Sequence, residues 1–289
     1  SRIAFDGRYK QISRFAHSLE MSPRCTKENF VRIADRYDVI VVGSDQVWNP
    51  AIIGEDTAFL LDGVKTWKTS YAASIGLGEL GEERRKIYQP LLEDFRSIAV
   101  RENSAAEILK SWGIESVNVT CDPVFLLDAD QWSQLAELPQ KGKYIFVYKI
   151  NNCRFLIKYA RELSKKTGLP VVFYMNDVRG GGSGRHLKSV TPREWLGLIK
   201  NAEYVVTNSF HATAFSIIFK RNFAVEILRK NNANTRIEQL LGSFELEDRV
   251  IDEKCSIVYD NIDYSDFDRK ISDYRKTSID YIESNIVKQ

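Results

Sequence analysis

One local pattern constrains this chain more than any other. A short apolar run ends in a polar corner, and an amphipathic helix pattern follows. It appears in "YDVIVVGSDQVWNP" (residues 37–50), "TSYAASIG" (69–76), "SIAVRENSAAEILKSWG" (97–113) and "VNVTCDPVFLL" (117–127). After a linker expected over 128–143, containing Pro139 and Gly142, it restarts with "KYIFVYKI", "PVVFYMN", "YVVTNS" and "NFAVEIL". Apolar runs of four or five residues bounded by Asp and Gly predict strands buried on both faces, which is how parallel sheets read. Strands alternating with helices predict an α/β fold of two doubly wound, Rossmann-like domains, over 1–132 and 133–289.

Helix signals support the same division. Ile87, Leu91, Leu92 and Phe95 share one face of a helix predicted over 82–95. Gly113 and Gly168 stand where helices should stop. Thr191 and Pro192 read as N-cap and first helical residue. An early helix is expected over 9–19. A last helix over 266–287, with Phe267, Ile271, Tyr274, Ile282 and Ile286 at helical spacing, is placed so that it packs back on the first domain.

Composition removes several classes of function. A formal charge of +2 with 28% charged residues gives no field suited to nucleic acid. No apolar run reaches the length of a membrane span, and no signal peptide is visible. Cys25, Cys121, Cys153 and Cys255 form no CxxC pair, so neither a zinc site nor a disulfide framework is expected. Reduced thiols fit the cytoplasm. The chain starts at Ser1, which suggests an upstream segment.

In open parallel sheets, ligands collect beyond the carboxyl ends of the strands. The corners "GSDQ", "AASIG", "VREN", "CDP" and "TNSFH" all lie there. His211 is one of only three histidines and falls in the first turn of a predicted helix, where free N–H groups favour anions. It reads either as a proton donor to a bound anion or as a histidine that caps the helix and fills a gap. Asn208 and Ser209 precede it. Arg101 directly follows a strand, suited to clamp a carboxylate or phosphate with two hydrogen bonds, or to pair with Glu102. Arg236 opens a helix, where a cation is usually disfavoured, so it faces either an anion or solvent. In "GSDQVW", Ser44 and Gln46 are polar contacts, Asp45 can accept a proton from a sugar hydroxyl or cap a segment, and Trp48 can stack on a sugar or lie in the core. "GGGSG" at 180–184 lacks the P-loop and dinucleotide patterns and reads as a loop, with His186 exposed beside it.

In order and spacing, "YDVIVVGSDQVWNP", "SYAASIG", "SIAVRENSAAEIL", "CDPVFLL", "NAEYVVTNSFHATAFSIIFKRNFAV", Arg236 and Leu240–Leu241 resemble the polysaccharide pyruvyl transferase family, over residues 37–281. The resemblance implies a two-domain fold like that of the GT-B glycosyltransferases. It implies transfer of the carboxyvinyl unit of phosphoenolpyruvate to two hydroxyls of a saccharide, free or lipid-linked, with a pyruvate ketal and phosphate as products, in surface or exopolysaccharide biosynthesis. Neither a metal nor an organic cofactor is implied. The enzyme would be cytoplasmic, free or peripheral at the inner membrane face.

Carried over by position, the resemblance makes His211 the acid and Arg101 a ligand of phosphoenolpyruvate. Asp45 is a further candidate base; Ser44, Gln46, Trp48, Asn208 and Ser209 are candidate substrate contacts. Many members have Arg-Leu-His where this chain has Ser209-Phe210-His211, so Arg236 or Lys230 is expected to supply the missing charge. Members also begin with a strand and polar loop ahead of "GSDQVW". No such stretch is visible here, and part of the first domain is expected upstream. Two other readings stay open: a nucleotide-sugar glycosyltransferase on the same architecture, and a glycan-binding module without catalysis.

Overall fold

The computed structural model describes residues 13, 15–137, 141–150, 153–175, 183–227, 235–254, 256–258 and 260–287. Lys230, Cys255, the triple glycine at 180–182 and the start of the helix expected over 9–19 lie outside these. The chain forms two compact units. The first comprises Ser22–Leu126, Arg229–Phe244 and Arg269–Gln289. The second comprises Ser1–Met21, Leu127–Leu228 and Glu245–Asp268. The chain passes between the units at 21/22 and again at 126/127, and two later segments return to the first unit, so the units are not the two continuous stretches 1–132 and 133–289.

In the first unit, β1 (Val39–Val42) pairs with β2 (Trp67–Ser70), and β3 (Ile98–Val100) with β4 (Val117–Val119), all parallel. Single bridges, Thr69 to Ser97 and Ala73 to Val100, join β2 to β3, giving the order β1-β2-β3-β4. Short helices α1 (Phe30–Ala34) and α2 (Pro50–Ile53) flank β1. The longer α3 (Glu82–Leu92) and α4 (Asn103–Ser111) follow β2 and β3. Because successive strand residues point to opposite faces, β3 serves two layers. Ile98 and Val100 join Tyr88 and Leu92 of α3 and Ala105 and Leu109 of α4 in one core. Ala99 turns to the other face with Tyr71, Ala72 and Tyr281. Tyr281 belongs to α10 (Phe267–Asn285), whose phenol donates to the Ser70 carbonyl at 2.9 Å and meets the Thr69 and Ser97 hydroxyls at 3.0 Å. The last helix does pack back on the first unit.

The second unit holds a five-stranded parallel sheet, order β7-β6-β5-β8-β9. Its strands are β5 (Ile145–Lys149), β6 (Val171–Met175), β7 (Arg185–His186), β8 (Tyr204–Thr207) and β9 (Asn222–Val225). Strand order reverses between β5 and β8, the place where an open α/β sheet leaves a crevice. Ile145, Val147, Phe173 and Val206 pack with Leu156, Tyr159, Ala160 and Leu163 of α6 (Leu156–Thr167). Toward α5 (Ala129–Leu135), α7 (Pro192–Lys200) and α8 (Phe210–Ile218), the cluster is aromatic: Phe215 meets Trp132 and Trp195 edge-on.

Two expectations change here. Residues 128–143 are not a plain linker. Asp128 accepts from Gln131 N while the Gln131 side chain bonds back, a capping box that starts α5. His186 lies in edge strand β7 and stacks on Phe173, ring centroids 4.7 Å apart, so it is half-buried. Thr191 caps α7 as expected, with Glu194 completing a capping box. Within α7, Gly197 has a packing reason: a β-carbon there would lie 1.6 Å from the Glu137 carbonyl oxygen. No helix among the described residues is long and apolar enough to cross a membrane.

Candidate functional site

Each unit gathers polar groups at the carboxyl edge of its sheet. In the first, the dipeptide Arg101–Glu102 after β3 ties four strand ends together. Arg101 is 3% exposed. Its Nη1 donates to Asp122 Oδ2 at 2.5 Å and its Nη2 to Asp45 Oδ1 at 2.9 Å. Glu102 points elsewhere: its Oε1 accepts from Ser74 Oγ and from the Ile75 and Gly76 amides, each at 2.9 Å. The pairing of Arg101 with Glu102 is therefore replaced by pairing with Asp122 and Asp45, and Glu102 instead fixes the loop after β2.

Arg236 sits in the first turn of α9 (Thr235–Phe244), and its Nη1 approaches the same Asp45 Oδ1 at 3.3 Å. Gln239, one turn on, accepts from Asn103 N at 2.8 Å and donates to the Arg101 carbonyl at 3.4 Å. Two guanidiniums thus converge on one carboxylate oxygen. Burial opposes the Arg101 charge, but Asp122 and then Asp45 outweigh it and raise its pKa above the ordinary value. Arg236 is shifted down, by burial first and by the Arg101 charge second, against the pull of Glu102, Asp45 and Asp122.

Asp45 itself has φ +63, a left-handed backbone that Asp tolerates better than most residues. Its carbonyl accepts from Val47 and Ser74, which aims the side chain at the arginines. A carboxylate held by two cations is a counter-ion rather than a base standing clear for a proton, and this corrects the base role expected for Asp45. Gln46 accepts from Asn49 Nδ2 at 2.6 Å and packs on Gly76, where φ is +67 and a β-carbon would clash with the Gln46 amide. Ser44 is half-buried in the same loop. Trp48 is not available to a sugar. It is fully buried, donates to the Phe59 carbonyl at 2.9 Å and meets Phe95 edge-on. Its amphipathic ring finds an internal acceptor and apolar walls, which settles it in the core.

In the second unit, the corner lies where strand order reverses. Thr207 Oγ1 donates to the Tyr148 carbonyl at 2.7 Å, and Asn208 Oδ1 accepts from Ile150 N at 2.9 Å, so the ends of β8 and β5 are fastened side by side. Ser209 is the N-cap of α8, its hydroxyl accepting from Ala212 N at 3.3 Å. Asn208 and Ser209 are both buried. Through the Ile150 and Ala212 amides, both help to frame this corner. His211, half-buried in the first turn, stands edge-on to Phe210 with ring centroids 5.5 Å apart.

Three acids escaped the sequence reading as site residues: Asp122, Glu102 and Glu226. Glu226 directly follows β9 and is 5% exposed. Its carboxylate accepts from the Arg154, Phe155 and Leu156 amides at 2.7, 3.0 and 2.6 Å. It fills the amino end of α6 with an internal anion, leaving α8 as the other helix that opens at this crevice. The signal available was an acid immediately beyond an apolar strand. Among the described residues, no group of three or more His, Cys, Asp or Glu side chains is arranged to hold a metal ion.

The family model described as "Polysaccharide pyruvyl transferase" matches residues 4–225. No curated protein sequence matches the chain. Similar solved structures include UDP-GlcNAc 2-epimerase from Methanocaldococcus jannaschii, 13% identical over 92% of this chain and 78% of that one, TM-score 0.47. A putative UDP-N-acetylglucosamine 2-epimerase from Listeria monocytogenes is 12% identical over 86% and 78%, TM-score 0.48. UDP-GlcNAc 2-epimerase from Neisseria meningitidis is 13% identical over 88% and 82%, TM-score 0.43.

Proposed function

The chain belongs to the polysaccharide pyruvyl transferase family, and from that premise we propose that it transfers the carboxyvinyl unit of phosphoenolpyruvate to two hydroxyls of one saccharide. The observation that carries this reading is the imidazole of His211 in the first turn of α8, at the reversal of strand order. Helix N–H groups there favour an anion, and an imidazole is a side chain suited to pass a proton to a substrate bound beside it.

In the proposed reaction, His211 protonates the methylene carbon of phosphoenolpyruvate. The C2 atom becomes oxocarbenium-like, and one sugar hydroxyl adds to it and loses its proton. The bond from C2 to the phosphate oxygen breaks, phosphate departs, and the second hydroxyl closes the ketal and loses its proton. Arg101 and Arg236 are the proposed partners for the donor's anionic groups, with Ser44 and Gln46 on the saccharide side. A general acid of this kind contributes about 100- to 10,000-fold. The route calls for neither a metal nor an organic cofactor. The acceptor, free or lipid-linked, would belong to surface polysaccharide assembly, and a lipid-linked acceptor would bring the enzyme to the membrane face.

The test is phosphate release from phosphoenolpyruvate across a panel of acceptor saccharides. Release that depends on one acceptor supports the proposal. Transfer from a nucleotide sugar, with no binding of phosphoenolpyruvate, would replace it with the glycosyltransferase reading.

A further inference from the structure

Arg101 and Arg236 are both largely buried, with side chains 2% and 11% exposed, yet the carboxylate they share is 57% exposed. The two partners of Arg101 also differ sharply. Asp122 is 1% exposed, bonds at 2.5 Å and accepts from Val124 N through its other oxygen. Asp45 Oδ1 meets the two cations at 2.9 and 3.3 Å, on a side chain 57% exposed. Asp122 is built into the fold, whereas Asp45 approaches from the solvent side. We propose that Asp45 is a displaceable internal counter-ion, occupying the place of a compact external oxyanion, phosphate or carboxylate, on the Arg101–Arg236 pair.

Charge balance makes the two occupants exclusive. Among the described residues the cluster contains two guanidiniums and three carboxylates, Asp45, Asp122 and Glu102, whose charges act on Arg236. Ionised, they sum to one net negative charge. A further anion added beside Asp45 would meet repulsion at close range in a partly desolvated site, where Coulomb terms are larger than in water. An anion arriving as Asp45 swings out leaves the balance close to where it began. Displacement would turn the aspartate side chain toward the solvent it already touches, while its carbonyl stays held by the Val47 and Ser74 amides. The internal ion pair therefore lowers apparent anion affinity by the fraction of molecules in which the arginines are uncovered. It also keeps two buried cations compensated before a ligand arrives, which an unpaired buried charge would otherwise make costly.

That the displacing anion is the donor's phosphate or carboxylate rests on the function proposed above, and the experiment separates the two ideas. Inorganic phosphate and phosphoenolpyruvate are each titrated by calorimetry into the wild type, Asp45→Ala and Asp45→Asn. If the arginines are uncovered in a tenth of molecules or fewer, both variants bind inorganic phosphate about tenfold tighter or more. Adding Arg236→Gln to Asp45→Ala removes that gain. Should Asp45→Ala fail to fold, Asp45→Asn, which keeps the side-chain shape without the charge, carries the test. Unchanged or weaker phosphate binding in the folded variants overturns the proposal, even if the wild type turns over phosphoenolpyruvate. Tighter phosphate binding alongside no binding of phosphoenolpyruvate by any form upholds the displacement and removes the donor assignment instead.

Discussion

At the scale of single residues, His211 and Trp48 are opposite cases. His211→Gln keeps a polar side chain of similar reach but cannot deliver a proton. Its turnover should fall about 100-fold or more while melting temperature and donor affinity stay close to wild type. A destabilised variant of normal activity would mark a purely structural histidine. Trp48→Ala should do the reverse, costing about 3–5 kcal/mol of stability in urea titration through the cavity it leaves. A loss of activity without that destabilisation would return Trp48 to the substrate side. Sequence alone read the position of Arg101 at a strand end, because a short apolar run fixes where a strand stops. It did not read the partners. Asp122 and Asp45 lie 21 and 56 residues away in the chain, and only strand order brings them together.

Among the elements, local signals made helices legible, α6 with its stop at Gly168 included, but not the distant groups that hold them. Thr191, Pro192 and Glu194 announce α7 within four residues. The capping box of Asp128 and Gln131 was just as local, but it sat in a stretch whose Pro139 and Gly142 drew the reading toward a linker. Helix α6 offers the other extreme. The residue before it, Phe155, makes no side-chain cap, and its opening amides bond to Glu226, some seventy residues on. Nothing within the helix could have shown this. Replacing Glu226 with Gln removes the negative charge facing those N–H groups, and should lower stability by about 1–3 kcal/mol. Urea unfolding with an unchanged slope checks it. A variant as stable as wild type would mean that the carboxylate contributes shape but no charge effect.

For the whole molecule, the strand–helix rhythm gave two α/β units because it is a property of short windows repeated along the chain. It could not show that α9 returns to the first unit, nor which residues hold α10 there. The ties that hold α10, such as Tyr281 to Ser70 and Ser278 to the Cys121 amide, span 211 and 157 residues. Tyr281→Phe strips one hydroxyl from the buried group of Thr69, Ser97 and Tyr281, and should cost about 1–3 kcal/mol. The loss should be visible as faster hydrogen exchange in β2 and β3 of the first unit; unchanged exchange there would detach α10 from its stability. The family assignment leads to one proposed reaction, and its product is the most direct readout. Mass spectrometry of acceptor saccharides incubated with the protein and phosphoenolpyruvate should find a product equal to the acceptor plus pyruvic acid less one water, with one phosphate released for each molecule formed. Phosphoenolpyruvate left intact across every acceptor, or an acceptor that instead gains a sugar from a nucleotide sugar, would contradict it.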